Sequence, residues 1–251
     1  MQHPGKLLWL VLLFCLQSLQ TGTAQTNVRV VTDAWAPYAF ESEGKLVGAD
    51  VDVAYEVFKS LGVGAHIEIL PWKRCLSLVK EQKADAILAV SLTEKRKSFL
   101  HYPTEPVSYG QTVFFAKQGH KIDSINLNNP FNLRVGAMLG YSYCHELDES
   151  RLLDSASRVS SLEQNFKKLL LGRIDLLVEV DAVGLYTAKQ LGVADKVKVV
   201  PSAPFCFGGN YLAFAKKTGM DVLSQSFSDA LIEFKKTPQY NAILAEYGLL
   251  E

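Results

Sequence analysis

The sequence predicts an α/β protein of two Rossmann-like lobes joined by a two-strand hinge. Three observations carry this. Strands and helices alternate along the chain, the order that builds a mostly parallel sheet with helices on its faces. The alternation then begins again. "LVKEQKADAILAVS" and "KLLLGRIDLLVEVD" share one layout: the end of an amphipathic helix, a basic residue, an Asp, and an apolar strand that ends polar. Finally, "PVSYGQTVFFAK" (106–117) leads into the second half and "SAPFCFGGNYLAFAKK" (202–217) leads out of it. If Leu212–Phe214 returns to the first lobe, the chain crosses between lobes twice.

In the first half, "NVRVVTD" (27–33) reads as a strand and "YAFESEGKLVGAD" (38–50) as a hairpin turning at Glu43-Gly44. "VDVAYEVFKSLG" (51–62) sets Val53, Val57, Phe58 and Leu61 on one helical face, with Asp50 as the expected N-cap and Gly62 as the stop. Phe40 is assigned to the core. "AHIEIL" (65–70) is a strand, "WKRCLSLVKEQ" (72–82) a helix and "ADAILAV" a buried strand. The second half repeats this with "LRVGAML" (133–139), "SSLEQNFKKLLLG" (160–172) and "RIDLLVEVD" (173–181), and residues 221–248 close the chain as helix interrupted at Pro238. These readings divide the chain into lobe 1 (25–106 plus 211–251) and lobe 2 (107–210), with crossings near 106–110 and 206–210.

Composition narrows the function. The 251 residues are 48% hydrophobic and 21% charged, with net charge +0. That is a globular balance without the basic stripe that nucleic acid demands. Residues 1–24 have the three-part layout of a secretory signal peptide: a short basic start, the apolar run "LLWLVLLFCL", and Gly22 and Ala24 before a cleavage point. The mature protein is expected to begin near Gln25, in the bacterial periplasm. There Cys75 reads as a buried free thiol. Cys144 and Cys206 are either a disulfide or two more buried thiols. The histidines show no metal-ligand spacing, and neither metal nor cofactor is expected.

The polar strand ends suggest the chemistry. Ser91, Thr93 and Arg96 follow one buried strand; Glu179 and Asp181 end its counterpart. Ligands of open α/β sheets bind beyond the carboxyl ends of strands. A guanidinium on one lobe and an acid on the other suit a zwitterion. On spacing alone, Thr93 capping a helix and Arg96 lying in solvent is an equal reading. Trp35 and Trp72 also lie at strand ends, placed either to sandwich a ligand or to fill the core. Arg74 either reaches the cleft or lies on the surface. In "GAMLGYSYC" the strand runs through Gly140 toward a helix start, where free N–H groups would favour an anion.

Five stretches in order, "DAWAPYAF", "GKLVGADVDV", "KADAILAVSLTEKR", "VGAMLGYSY" and "RIDLLVEVD", resemble the bacterial extracellular solute-binding proteins of family 3, the amino-acid-binding type. The resemblance implies a type II periplasmic-binding-protein fold and a protein that closes two lobes on a small polar solute, an amino acid or small carboxylate. It would act as a monomer and hand that solute to an inner-membrane ABC permease. It also implies that Arg96 clamps the α-carboxylate, with Ala89 and Ser91 beside it. Trp35 and Trp72 would pack the ligand's side chain and Asp33 would add a polar contact. The backbone of Gly140, Tyr141 and Ser142 would help hold the carboxylate. An acid, Glu179 or Asp181, would take the amino group. The Lys and Arg of "PWKR" depart from the family's usual residues and favour an anionic ligand. Two other readings stand beside transport: a sensory module that signals to a membrane receptor, and a dehydratase-like enzyme recruiting Glu179 or Asp181 as acid or base.

Overall fold

A computed structural model describes residues 27–122, 125–127, 133–201 and 206–250. The expected signal peptide, residues 1–24, lies outside the described residues. The strands are β1 (Asn27–Thr32), β2 (Phe40–Ser42), β3 (Lys45–Val47), β4 (Gly64–Ile69), β5 (Ala86–Ser91), β6 (Leu100–His101), β7 (Ser108–Lys117), β8 (Val135–Met138), β9 (Ser157–Val159), β10 (Leu176–Val180), β11 (Val197–Val199) and β12 (Cys206–Ala215). The helices are α1 (Ala49–Ser60), α2 (Trp72–Lys80), α3 (Glu94–Lys97), α4 (His145–Asp148), α5 (Arg151–Asp154), α6 (Leu162–Leu170), α7 (Asp181–Gln190), α8 (Met220–Phe234) and α9 (Pro238–Glu246).

The main sheet runs β4-β1-β5-β12-β7-β10-β8-β9. At one end β4, β1 and β5 are parallel; at the other, β10, β8 and β9 are parallel. In each triplet the strand that comes first in the chain lies in the middle. The sequence repeat is therefore a repeat of topology. Even its Asp does one job twice: Asp85 accepts the Arg29 backbone N–H at 2.7 Å, and Asp175 accepts that of Arg134 at 2.9 Å. Between the triplets stand β12 and β7, antiparallel from Cys206↔Thr112 to Asn210↔Ser108. These two strands connect the triplets.

Alternation along the strands fills both faces of each lobe. Val28 and Val30 meet Val57, Phe58 and Phe214 on one side, while Val31 and Ile87 meet Cys75 and Val79 on the other. In lobe 2, Leu176 and Val178 pack with Phe114 and Leu147, and Leu177 packs with Phe115 and Phe166. Helices end where glycine supplies the left-handed turn, as at Gly62 (φ 66°). Pro238 starts α9 rather than merely interrupting a helix, and Thr237 caps it by accepting the Tyr240 N–H.

Two details differ from the sequence reading. Asp50 does not cap α1: Gly48 does, at φ 134°, and a Cβ there would lie 2.3 Å from the Tyr38 carbonyl oxygen. Asp50 sits inside the first turn, fully buried. Phe40 is half-buried rather than core, against the rings of Tyr186 and Tyr247.

Candidate functional site

The carboxyl ends of β1, β4 and β5 face those of β8 and β10 across the hinge pair. Between them lies a partly open cleft walled by residues of both halves, at a junction of two units where small-molecule sites commonly form. Of the residues singled out from sequence, Asp33, Trp35, Trp72, Ala89, Ser91, Arg96, Tyr141, Ser142 and Glu179 line it.

Lobe 1 supplies the cation. Thr93 does cap α3, its hydroxyl accepting the Arg96 N–H at 3.2 Å. The cap does not send Arg96 into solvent: the residue is 6% exposed. Its guanidinium donates to the carbonyls of Ser91 (3.0 Å) and Gly140 (3.3 Å) and lies 5.6 Å from the centre of the Trp72 ring. Tyr102 donates to the same Ser91 carbonyl at 3.0 Å. The end of β5 is aimed by a bulge: Val90 pairs with Tyr211 but Ile87 with Ala213, and Ala89 takes φ 60°. A non-glycine residue with positive φ is strained, and a bulge re-aims a strand. Here it brings Ala89 and Ser91 to the cavity wall.

Lobe 2 supplies the acid. Glu179 is 1% exposed; one oxygen accepts from the Trp35 indole (3.3 Å) and the Val180 N–H (2.9 Å). The other, Oε2, meets no hydrogen-bond partner among the described residues. Burial raises the Glu179 pKa to about 7, with Asp33 adding repulsion. Asp33 is raised to about 7 chiefly by burial, against the pull of the Tyr141 hydroxyl and of Arg96. That hydroxyl donates to Asp33 at 2.5 Å across the cleft. Burial also holds the Tyr141 phenol well above its usual value.

Three expected residues, Arg74, Asp181 and Gly140, are not in this group. Arg74 is exposed and away from the cavity, because Trp72, Cys75 and Val79 take the buried face of α2. Asp181 begins α7 and accepts the Ala182 N–H at 2.7 Å, so it turns out of the wall. Of the two acids, Glu179 lines the cavity and Asp181 does not. Gly140 has a different role from the one expected. No helix begins there, since α4 starts at His145, and its carbonyl accepts from Trp72 (3.0 Å) and Arg96. Ser142 presents its carbonyl to the Ser91 hydroxyl at 3.0 Å.

Some of the wall went unread in the sequence: Tyr143, Val180 and the hinge positions Gly110, Thr112, Gly208, Gly209 and Asn210. The small residues of "SYGQT" and "FGGN" were the available signal. Asn210 donates to Ser108 at 2.9 Å, tying the strands together there. Cys144 and Cys206 form a disulfide, Cα atoms 6.0 Å apart, which fastens the 139–144 loop to the start of β12. Asp148 holds the same loop, accepting from the Ser142 hydroxyl and the Tyr143 N–H.

The comparisons agree with this architecture. A probable amino-acid-binding protein of Bacillus subtilis (strain 168), YxeM, is 25% identical over 84% of this chain and 79% of its own. An ancestral arginine-binding protein, solved bound to arginine, superposes with TM-score 0.74 at 26% identity, covering 89% of this chain and 99% of that one. A histidine kinase sensor domain with similarity to periplasmic binding proteins shares the fold, with TM-score 0.79 at 22% identity over 90% of this chain and 98% of that one. The family model of the bacterial extracellular solute-binding proteins, family 3, matches residues 28–249, and the chain belongs to that family.

Proposed function

We propose that this protein captures a small α-amino acid in the periplasm and delivers it to an ABC permease. The observation that carries the reading is a buried cation and a buried acid from opposite lobes in one cavity, with Glu179 Oε2 meeting no partner among the described residues. A buried charge without a partner is costly, and an ammonium is the partner this acid lacks. Arg96 has five N–H donors, of which two rest on carbonyls, and the guanidinium fork matches a carboxylate. Trp35 and Trp72 flank the apolar part. Asp33, Ala89, Ser91 and the 140–142 loop complete the shell.

The expected preference for an anionic ligand falls with Arg74: the cations of "PWKR" stand outside the cavity, and Arg96 is matched there by two carboxylates. Closure is a rotation of lobe 1 (25–106 plus 211–251) against lobe 2 (107–210) about the crossings near 106–110 and 206–210. It follows from a ligand that touches both lobes only when they are closed. The protein acts as a monomer and returns its ligand unchanged.

A thermal-shift screen of residues 25–251 against the amino acids tests this. A ligand at 100 times its Kd adds about 2.7 kcal/mol. Stabilisation by α-amino acids, absent in Arg96→Ala, is the expected result; a blank across all of them refutes the reading. The sensor-domain neighbour favours a second reading, delivery of the signal to a membrane receptor. ATP-driven uptake in proteoliposomes carrying the candidate permease separates the two.

A further inference from the structure

We propose that Tyr141 sets the ligand's charge class: it occupies the Asp33 end of the cavity from the opposite lobe and takes up that carboxylate, so the cleft refuses ligands with a second cationic group. This rests on the amino-acid reading above. The cavity contains one guanidinium, Arg96, and two buried carboxylates, Asp33 and Glu179. A zwitterion satisfies Arg96 and Glu179 and leaves one acid over. An unpaired buried carboxylate is costly, so an open cleft with these three groups would select a ligand of net charge +1.

The Tyr141 hydroxyl fills that need internally, donating to Asp33 Oδ2 at 2.5 Å. Its ring is held in place from both sides, edge-on to Trp72 of lobe 1 with centroids 5.7 Å apart and tilted against Tyr143 of lobe 2 at 6.3 Å. It also packs against apolar clusters of both lobes. The phenol therefore stands where a longer ligand's side chain would run toward Asp33. Burial, which favours the neutral form of Asp33, acts in the same direction.

Isothermal titration of the mature protein with glycine, alanine, serine, ornithine and lysine tests the assignment. Wild type should favour the short neutral ligands. Tyr141→Ala should raise the lysine-to-alanine affinity ratio by about ten-fold or more, and adding Asp33→Asn should return the ratio to the wild-type value. Tyr141→Phe keeps the ring and loses only the hydroxyl, so it guards against a folding defect; it should move the ratio the same way by less. A ratio unchanged in both Tyr141 variants overturns the proposal, as does a gain that survives Asp33→Asn or a wild type that already prefers lysine. Each of those outcomes leaves the amino-acid reading intact. A wild type that binds none of the five and no other amino acid overturns that reading, and this one with it.

Discussion

The two lobes share a strand order and an Asp brace but build their faces of the cleft by different means. Lobe 1 presents Ser91 and Arg96 from the end of a central strand and the capped start of α3, both fixed by regular structure. Lobe 2 presents Tyr141 and Ser142 from a loop with no repeating backbone. That loop is held by the disulfide, by Asp148 and by the Tyr143 hydroxyl, which accepts the Met138 N–H at 2.9 Å. The contrast teaches that duplicated topology fixes where a site lies, while what each half contributes depends on local fastening. Secondary structure secures the cation; covalent and side-chain ties secure the loop that meets it.

The largest expected effect is on the lobe 1 side. Arg96→Ala should abolish measurable binding, a loss of about 2–5 kcal/mol, with the melting temperature near wild type; retained affinity by calorimetry would remove the guanidinium from the site. On the lobe 2 side, replacing Cys144 and Cys206 together by Ser should cost about 2–4 kcal/mol of stability. Denaturant unfolding measures it, and a loss confined to stability with affinity unchanged would mean the loop does not need its covalent tie.

Glu179→Gln should weaken amino-acid binding by about 1.5–3 kcal/mol. The same group sets a pH dependence. Its carboxyl is raised to about 7 in the protein, so below that pH a bound ammonium must displace a proton. Affinity should therefore rise with pH, by at most about ten-fold per unit, and level off above 7. Titrations between pH 5.5 and 8.5 check this, and a flat profile that persists in Glu179→Gln would exclude the acid. Without ligand the sign reverses for stability. Asp33 and Glu179 bind protons more readily folded than unfolded, so their contribution is present at low pH and fades as pH rises from about 4 to 7. The smallest effect is expected at the seam. Gly140 sits at φ 85°, and a Cβ there would come within 3.2 Å of Lys73 Cγ and 3.4 Å of Trp72 Cδ1. Gly140→Ala should reduce affinity by about 1–3 kcal/mol through hindered closure.

The same contrast decides what was legible in the sequence. β5 and β10 were readable because they are apolar runs that end polar, and regular elements then carry Arg96 and Glu179 to the cavity. The choice between Glu179 and Asp181 was not readable. In an extended strand, positions two apart share a face; only the helix beginning at Asp181 turns that side chain away. Arg74 misled for the opposite reason: its place in the first turn of α2 was clear, but which face of the helix would be buried was not. Tyr141 was singled out for its backbone, whereas it is its side chain that reaches Asp33, because no periodicity marks an irregular loop.

The hinge floor has a further consequence. Gly110 and Gly208 pair directly, with Gly209 beside them, so the two-stranded ribbon between the lobes has a rung without side chains at its middle. A hydrogen-bonded ribbon yields to twist more readily than to stretching or sliding, so closure about it would be chiefly a rotation. One distance then reports occupancy. Fluorophores on two exposed positions of the outer groove, Lys95 on one lip and His145 on the other, would turn the molecule into a ratiometric gauge of its own ligand.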